Sequence, residues 1–185
     1  MRAATSPSHP TAEALIEAGQ KLAEERGLSA MTVDAIVAAA GVAKGTFYVH
    51  FPDRDGFLVL LHRRFHDGLR ERMSAATIGL PHGPGRLRAG TEAYLDGCLR
   101  SCGVKAILQE ARSVPAILAE VRRADTRFSK DTATCLEVMG FEDAPAAARL
   151  LVAMSAETAL VELESGKKRG DMRRALWRFA GIPRD

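Results

Sequence analysis

The sequence predicts an all-α protein with about nine helices. Only 5% of its 185 residues are aromatic. Alanine, leucine, arginine and glutamate are abundant instead, and these side chains lose little rotamer freedom in a helix. Apolar residues recur at helical spacing and lack the period-two alternation of strands. Clusters of glycine, proline and serine separate the helical segments.

Residues 11–51 are predicted to form three short helices. The first helix has one stripe, formed by Leu15, Gly19 and Leu22. Thr32 can cap the second helix, because its hydroxyl can accept a hydrogen bond from an amide that the first turn leaves unpaired. Asp34 adds negative charge where the helix dipole favours it. Gly41 suits the left-handed conformation that ends this helix.

Longer helices are predicted after Pro52. One extends from Asp55 to about Met73 and carries Phe57, Leu61, Phe65 and Leu69. The next two stripes contain Leu87, Thr91, Tyr94, Cys98 and Cys102, and then Ile117, Val121, Phe128, Cys135 and Met139. Asp143 is expected to cap a helix that spans Pro145 to Glu164. The last helix has one apolar face, formed by Met172, Ala175, Leu176 and Phe179.

Residues 32–51 have the pattern of a helix-turn-helix unit: a capped short helix, a tight turn and a second short helix. Val42, Phe47 and Phe51 can pack inward. The side chains left to project outward are those of Lys44, Thr46, Tyr48 and His50. Their cation, hydroxyl, phenol and imidazole can contact phosphates and base edges.

This pattern resembles the DNA-binding segment of the tetracycline-repressor (TetR) family. The resemblance covers roughly residues 11–62 and is clearest over residues 40–51, AGVAKGTFYVHF. It implies that the third helix enters the major groove, that Gly45 permits close approach and that Tyr48, His50 and Arg54 meet phosphate. The full set of DNA-binding residues that it implies is Thr32, Lys44, Gly45, Thr46, Tyr48, His50 and Arg54. A purely structural cap remains the alternative for Thr32.

The sequence departs from the family pattern in two places. Ala43 stands where many members have serine or threonine, so the third helix lacks a side-chain cap. Packing of Phe47 and Phe51 is expected to hold that helix instead. Asp53 and Asp55 flank Arg54, which weakens the expected phosphate contact.

The resemblance implies a DNA-binding domain over residues 11–53 and a dimerisation and effector domain over residues 54–185. The helix over 145–164 is apolar on more than one narrow stripe and the last helix has one apolar face, which together predict a four-helix interface with a second subunit. The interface residues predicted are Leu151, Met154, Leu160, Val161, Met172, Leu176 and Phe179. The alternative is that these helices line the core of a monomer.

The sequence pattern says less about a small-molecule effector site than about DNA binding. A largely apolar pocket is predicted from Phe65, Leu69, Tyr94, Cys98, Cys102, Phe128 and Met139. Core packing is the alternative for each of these residues. His62 and His66 are expected on a solvated helix face. The predicted function is a ligand-responsive repressor that binds a palindromic operator in double-stranded DNA as a homodimer; the alternative is an effector- or redox-sensing helical protein without operator binding.

Other classes of protein are not favoured. Three cysteines do not make a disulfide scaffold, and the chain shows neither a secretion leader nor an apolar run of membrane-spanning length, so a cytoplasmic protein without a membrane partner is expected. Nucleophile elbows, phosphate-binding glycine loops and suggestive carboxylate pairs are missing. We therefore expect no enzyme, no cofactor and no metal.

The net charge of +3 hides an uneven distribution. Residues 1–74 contain nine basic and nine acidic side chains, so the whole excess lies in residues 75–185. The predicted DNA-binding segment is therefore not basic overall. DNA binding is expected to be of moderate affinity, with a shallow salt dependence per subunit.

Overall fold

Eight α-helices make up the described part of the chain, in a computed structural model that describes residues 10–26, 31–101 and 115–182. Their bounds are α1 Pro10–Arg26, α2 Val33–Ala40, α3 Lys44–His50, α4 Arg54–Thr77, α5 Pro84–Arg100, α6 Pro115–Val138, α7 Ala144–Ser165 and α8 Gly170–Phe179. Within these ranges there is no strand, and the all-α prediction is confirmed. None of the eight helices is both long enough and apolar enough to cross a membrane.

The described residues form two compact units. The first contains residues 10–26, 31–64 and 115–118, and the second contains residues 65–101 and 119–182. Helix α4 therefore begins in the first unit and ends in the second. The functional boundary expected near residue 53 stays a prediction.

The first unit is built around buried residues of α1 to α4. The predicted stripe of α1 is buried, and Ile36, Phe47 and Phe57 are fully buried beside it. Gly19 allows a close approach, because a Cβ atom at that position would lie only 2.4 Å from Cζ of Phe57. The guanidinium of Arg64 on α4 also donates two hydrogen bonds to the carboxylate of Glu13 on α1. An apolar contact and an ion pair thus join α1 to α4.

The second unit buries the predicted stripes of its helices. Leu87, Tyr94 and Cys98 are buried on α5, which packs against α7, and α7 packs against α8. Gly97 of α5 lies so close to Leu69 of α4 that a Cβ atom would come within 2.5 Å of it. Cys102 lies outside the described residues.

A network of charged side chains inside the second unit was not predicted from the sequence. Glu162 of α7 is fully buried, and both of its oxygens accept hydrogen bonds from Arg173 of α8 at 2.7 Å. The amide of Arg169 donates to the same carboxylate at 2.9 Å. Asp96 of α5 completes the network, 2.8 Å from Arg173 and 2.7 Å from Lys168. One arginine therefore joins α5, α7 and α8.

Two local expectations are wrong. Asp143 stands before α7, but its side chain makes no capping hydrogen bond, because its backbone is not extended (φ −99°, ψ 44°) and Pro145 removes an amide from the first turn. His62 is buried and His66 half-buried, so they do not form a solvated face. Helix α4 buries a broader stripe than its apolar residues indicate.

Candidate nucleic-acid interface

Helix α2 and the turn after it are fixed by local hydrogen bonds. Oγ1 of Thr32 accepts a hydrogen bond from the amide of Ala35 at 3.1 Å, and the backbone of Thr32 is extended, as a helix cap requires. Gly41 has φ +67°, and its amide donates to the carbonyl of Ala38. The predicted cap and the predicted left-handed turn are both confirmed. They set the direction in which α3 leaves α2.

Helix α3 is held by its inner face. Ala43 makes no side-chain cap, as its residue type predicts. Phe47 is fully buried, with its ring centroid 5.2 Å from Phe51 and 5.6 Å from Phe57. The rings of Phe51 and Phe57 are in turn 5.0 Å apart, edge to face. The predicted aromatic anchor is confirmed, and α4 adds the third ring to it.

The opposite face of α3 is open to solvent. Lys44 and Gly45 are exposed, and Tyr48 is 51% exposed. Thr46 and His50 are half-buried at the edges of this face. The outward projection of Lys44 and Tyr48 is confirmed. Val49 also lies on this face and was not predicted there; its exposure of 78% is the highest among the large apolar residues of α3.

Lys44 has a partner that sequence spacing does not reveal. Its ammonium lies 2.8 Å from a carboxylate oxygen of Asp34 on α2, and both side chains are exposed. The hydrogen bond and the charge of Asp34 raise the pKa of Lys44 above its ordinary value. Asp34 was expected only to complement the dipole of α2, whereas the turn at Gly41 brings it beside α3.

Arg54 differs from an exposed phosphate contact. It is half-buried, and its Nε donates a hydrogen bond to the carbonyl of Met31 at 2.6 Å. Asp53 is also engaged, since its Oδ1 accepts from the amide of Gly56 at 2.7 Å and thereby caps the first turn of α4. In this structure Arg54 ties the start of α4 to the residue before Thr32. A role in meeting phosphate stays a prediction.

The expected effector residues are only partly brought together. A small cavity of about 30 Å³ in the second unit is lined by two of them, Tyr94 and Phe128. The other residues around it are Met73, Thr91, Asp125, Thr132, Leu151, Val152 and Ser155. Phe65, Leu69 and Cys98 are buried elsewhere in the core, and Met139 is half-buried. Cys102 lies outside the described residues.

The predicted interface residues on α7 and α8 occupy different environments. Leu151 and Leu176 are buried within the chain. Met154, Leu160, Val161 and Met172 are half-buried. Phe179 is 72% exposed, and Leu150, which was not among the predicted interface residues, is 66% exposed.

A short helix that presents polar side chains beyond a tight turn is how helix-turn-helix proteins enter the major groove, and α2 and α3 place this chain in that class. Residues 15–61 match the family model described as bacterial regulatory proteins, tetR family. Over these residues the chain is similar to that family of transcriptional regulators.

Curated relatives match part of the chain. The repressor NemR of Escherichia coli is 30% identical over 86 residues, which is 46% of this chain and 42% of the relative. The repressor DhaR of Mycobacterium sp. (strain GP1) is 36% identical over 66 residues, which is 36% of this chain and 33% of the relative. The chain thus spans less than half the length of the curated relatives that it matches.

Solved structures share the fold over nearly the whole chain. A TetR-like transcriptional regulator from Rhodococcus sp. RHA1 has a TM-score of 0.75 and 21% identity, covering 95% of this chain and 96% of its own. The reduced form of E. coli NemR has a TM-score of 0.72 and 19% identity, covering 94% and 97%. At these identities the likeness concerns the fold alone.

Proposed function

We propose that this chain is a ligand-responsive repressor that binds a palindromic operator as a homodimer and is released by a small-molecule effector. The observation that carries the proposal is the outer face of α3, where Lys44, Gly45 and Tyr48 lie exposed above a buried aromatic anchor. Exposed polar groups on a rigidly held short helix are what base and phosphate contacts require. His50 lies at the border of this face, and the exposed Thr32 before α2 is proposed to extend the contact to the DNA backbone.

Dimerisation supplies the specificity that one short helix lacks. Helix α3 has seven residues and reaches few base pairs, whereas two symmetric copies about 34 Å apart read a palindrome. We place the interface on α7 and α8, where Leu150 and Phe179 expose large apolar side chains. Met154, Leu160, Val161 and Met172 adjoin that surface as half-buried residues, whereas Leu151 and Leu176 shape the helices from inside.

Effector release is proposed to act through α4. Met73, near the end of α4, lines the same cavity as Tyr94 and Phe128. That cavity is far below the roughly 300–1,000 Å³ of an ordinary ligand pocket, so an effector must displace side chains to enter. Displacing Met73 would move α4, which begins at Arg54 beside the DNA-binding helices. The spacing of the two α3 helices would then no longer fit one turn of DNA.

The redox-sensing alternative gains little support from the described cysteines. Cys98 and Cys135 are buried. Burial raises the pKa of the Cys135 thiol, which keeps it protonated, and the thiolate is the reactive form. Regulation of transcription through DNA binding is therefore the function that the geometry supports best.

A gel-shift titration of the full chain with the intergenic DNA beside its own gene tests operator binding. We expect a saturable shift that Lys44→Ala and Tyr48→Ala each weaken at matched salt, because each removes a contact made by α3. Lys130→Ala, which removes an exposed lysine of α6, is the matched control and should bind like the parent chain.

Two results would count against the proposal in different ways. If the parent chain shifts none of the intergenic fragments, operator binding is rejected and the alternative without operator binding gains ground. If Lys44→Ala and Tyr48→Ala bind like the parent, DNA binding stands but its assignment to α3 is wrong. Circular dichroism and sedimentation of each variant separate lost contacts from lost folding.

A further inference from the structure

The centre of the exposed face of α3 is formed by Gly45 and Val49. At 100° per residue, these two positions lie about 160° from the buried Phe47, one on each side of the direction that points straight outward. Tyr48 and Thr46 lie about 100° from Phe47, on the flanks. A helix that enters the major groove with Phe47 behind it therefore presents Gly45 and Val49 to the floor of the groove, where the base edges lie.

The fold of the free chain does not account for either residue. Gly45 is helical without a positive φ, and a Cβ atom there would meet nothing within 4 Å, although alanine is the better helix former. Val49 is β-branched, which lowers its helix propensity, and its side chain is 78% exposed. Gly45 has no side chain and Val49, one turn later, is an exposed apolar residue. Both are suited to close contact with the surface of another molecule.

We infer that Val49 contacts the 5-methyl group of a thymine in each operator half-site, with Gly45 allowing α3 to lie deep enough for that contact. The inference rests on the proposed function. Valine has neither donor nor acceptor, and thymine is the one base that presents a methyl group in the major groove. Lys44 and Tyr48 supply polar contacts on one flank, so Val49 adds selectivity for thymine rather than general affinity.

Replacing thymine by uracil tests the contact, because uracil lacks only the methyl group. Binding sequences are first selected from a random duplex library with the full-length chain, and each thymine of the selected site is then replaced in turn. For the parent chain, we expect one position in each half-site where uracil weakens binding about fourfold, the value of one buried methyl group. For Val49→Ala, thymine and uracil duplexes should bind equally at that position.

Val138→Ala is the matched control, because Val138 is also a largely exposed valine, on α6. It should keep the full preference for thymine over uracil. If Val49→Ala keeps that preference too, or if the parent chain shows none, the thymine contact is rejected while DNA binding stands. If the library yields no enriched sequence, it is the proposed function that fails.

Gly45→Ala tests the depth of the helix separately. We expect it to fold at least as stably as the parent chain, yet to bind the selected site at least tenfold more weakly and to lose the preference for thymine. Gly68→Ala, at a helical glycine of α4 whose Cβ would also meet nothing within 4 Å, should leave both properties unchanged. If Gly45→Ala binds like the parent chain, the deep seating of α3 is wrong.

Discussion

At the scale of single residues, the ion pair between Asp34 and Lys44 bears most directly on DNA binding. Exposed pairs of this kind add little to stability. A phosphate that approaches Lys44 must compete with the carboxylate of Asp34, which also repels it. Asp34 is therefore placed to limit the affinity of the proposed interface.

Asp34→Asn should strengthen binding to the selected DNA several-fold, because Lys44 is released and a negative charge is removed. The plot of log K against log salt concentration should also become steeper, by no more than about 0.9 for each subunit, because Lys44 neutralises phosphate more completely once Asp34 no longer competes for it. Fluorescence anisotropy at several salt concentrations measures both quantities.

Asp67→Asn is the control for this change, since Asp67 forms an exposed ion pair with Arg70 on α4. It should leave the salt dependence as it is. An Asp34→Asn variant with the affinity and slope of the parent chain would show that Asp34 does not compete with phosphate.

At the scale of helices, the close approach of α1 to α4 depends on Gly19. Gly19→Ala should lower the free energy of unfolding by about 1–3 kcal/mol, because the added methyl group overlaps the ring of Phe57. Urea denaturation measures the change, with Gly68→Ala as the control at an open helical position. A Gly19→Ala variant as stable as the control would contradict the tight packing of these two helices.

The ion network of α5, α7 and α8 depends on Arg173. Arg173→Met should cost about 3–5 kcal/mol in unfolding free energy, because it leaves the buried carboxylate of Glu162 without its charged partner. The exposed neighbour Arg174, changed to methionine in the same way, should have a far smaller effect. Equal losses from the two variants would argue against a special role for Arg173.

The same network predicts how stability depends on pH. Burial raises the pKa of both Glu162 and Asp96. For Glu162, hydrogen bonds from Arg173 and from the Arg169 amide more than offset burial and hold the pKa below its ordinary value of 4.5. For Asp96, hydrogen bonds from Lys168 and Arg173 do the same and hold the pKa below its ordinary value of 3.8. Their stabilisation is thus present above about pH 4.5 and is lost as the pH falls through the lowered values. Unfolding free energy measured between pH 7 and pH 3 should fall more steeply for the parent chain than for Arg173→Met; parallel curves would contradict this assignment.

Sequence patterns predicted the helices better than the contacts between them. The periodicity of apolar residues was sufficient for α1, α4 and α7, and turn chemistry was sufficient for the cap at Thr32 and the turn at Gly41. The network around Arg173 and the pair of Asp34 with Lys44 join residues of different helices, which periodicity within one helix cannot reveal. The burial of His62 was missed because a histidine was not counted with the apolar stripe of α4, although Leu58, Phe65 and Leu69 beside it at helical spacing are buried.

At the scale of the whole molecule, the proposed function depends on two copies of the chain. Phe179→Asp should shift a dimer towards monomer, because it places a charge where the proposal buries an aromatic ring. Sedimentation velocity over a range of concentrations measures the change. Ile78→Asp, at an equally exposed apolar residue just beyond α4, is the control and should stay dimeric. A Phe179→Asp chain that remains dimeric would exclude this face of α8 from the interface.

The charge distribution fits a protein whose DNA binding depends on the positions of individual side chains and not on the net charge of the segment. Residues 1–74 are neutral overall, so the proposed DNA contact depends on where individual side chains such as Lys44 and Tyr48 lie. The predicted DNA-binding residues follow a family pattern. The predicted effector residues follow none, because apolar residues of a pocket and of a core have the same spacing.

A nuclease footprint of the full-length chain on the intergenic DNA beside its gene tests both the contact made by α3 and the pairing of two chains. The proposal predicts protection of a two-fold symmetric segment, with half-site centres one helical turn or a multiple of it apart, and loss of that protection in Lys44→Ala. Protection without symmetry, or no protection at concentrations where the chain is dimeric, would contradict operator binding by paired α3 helices.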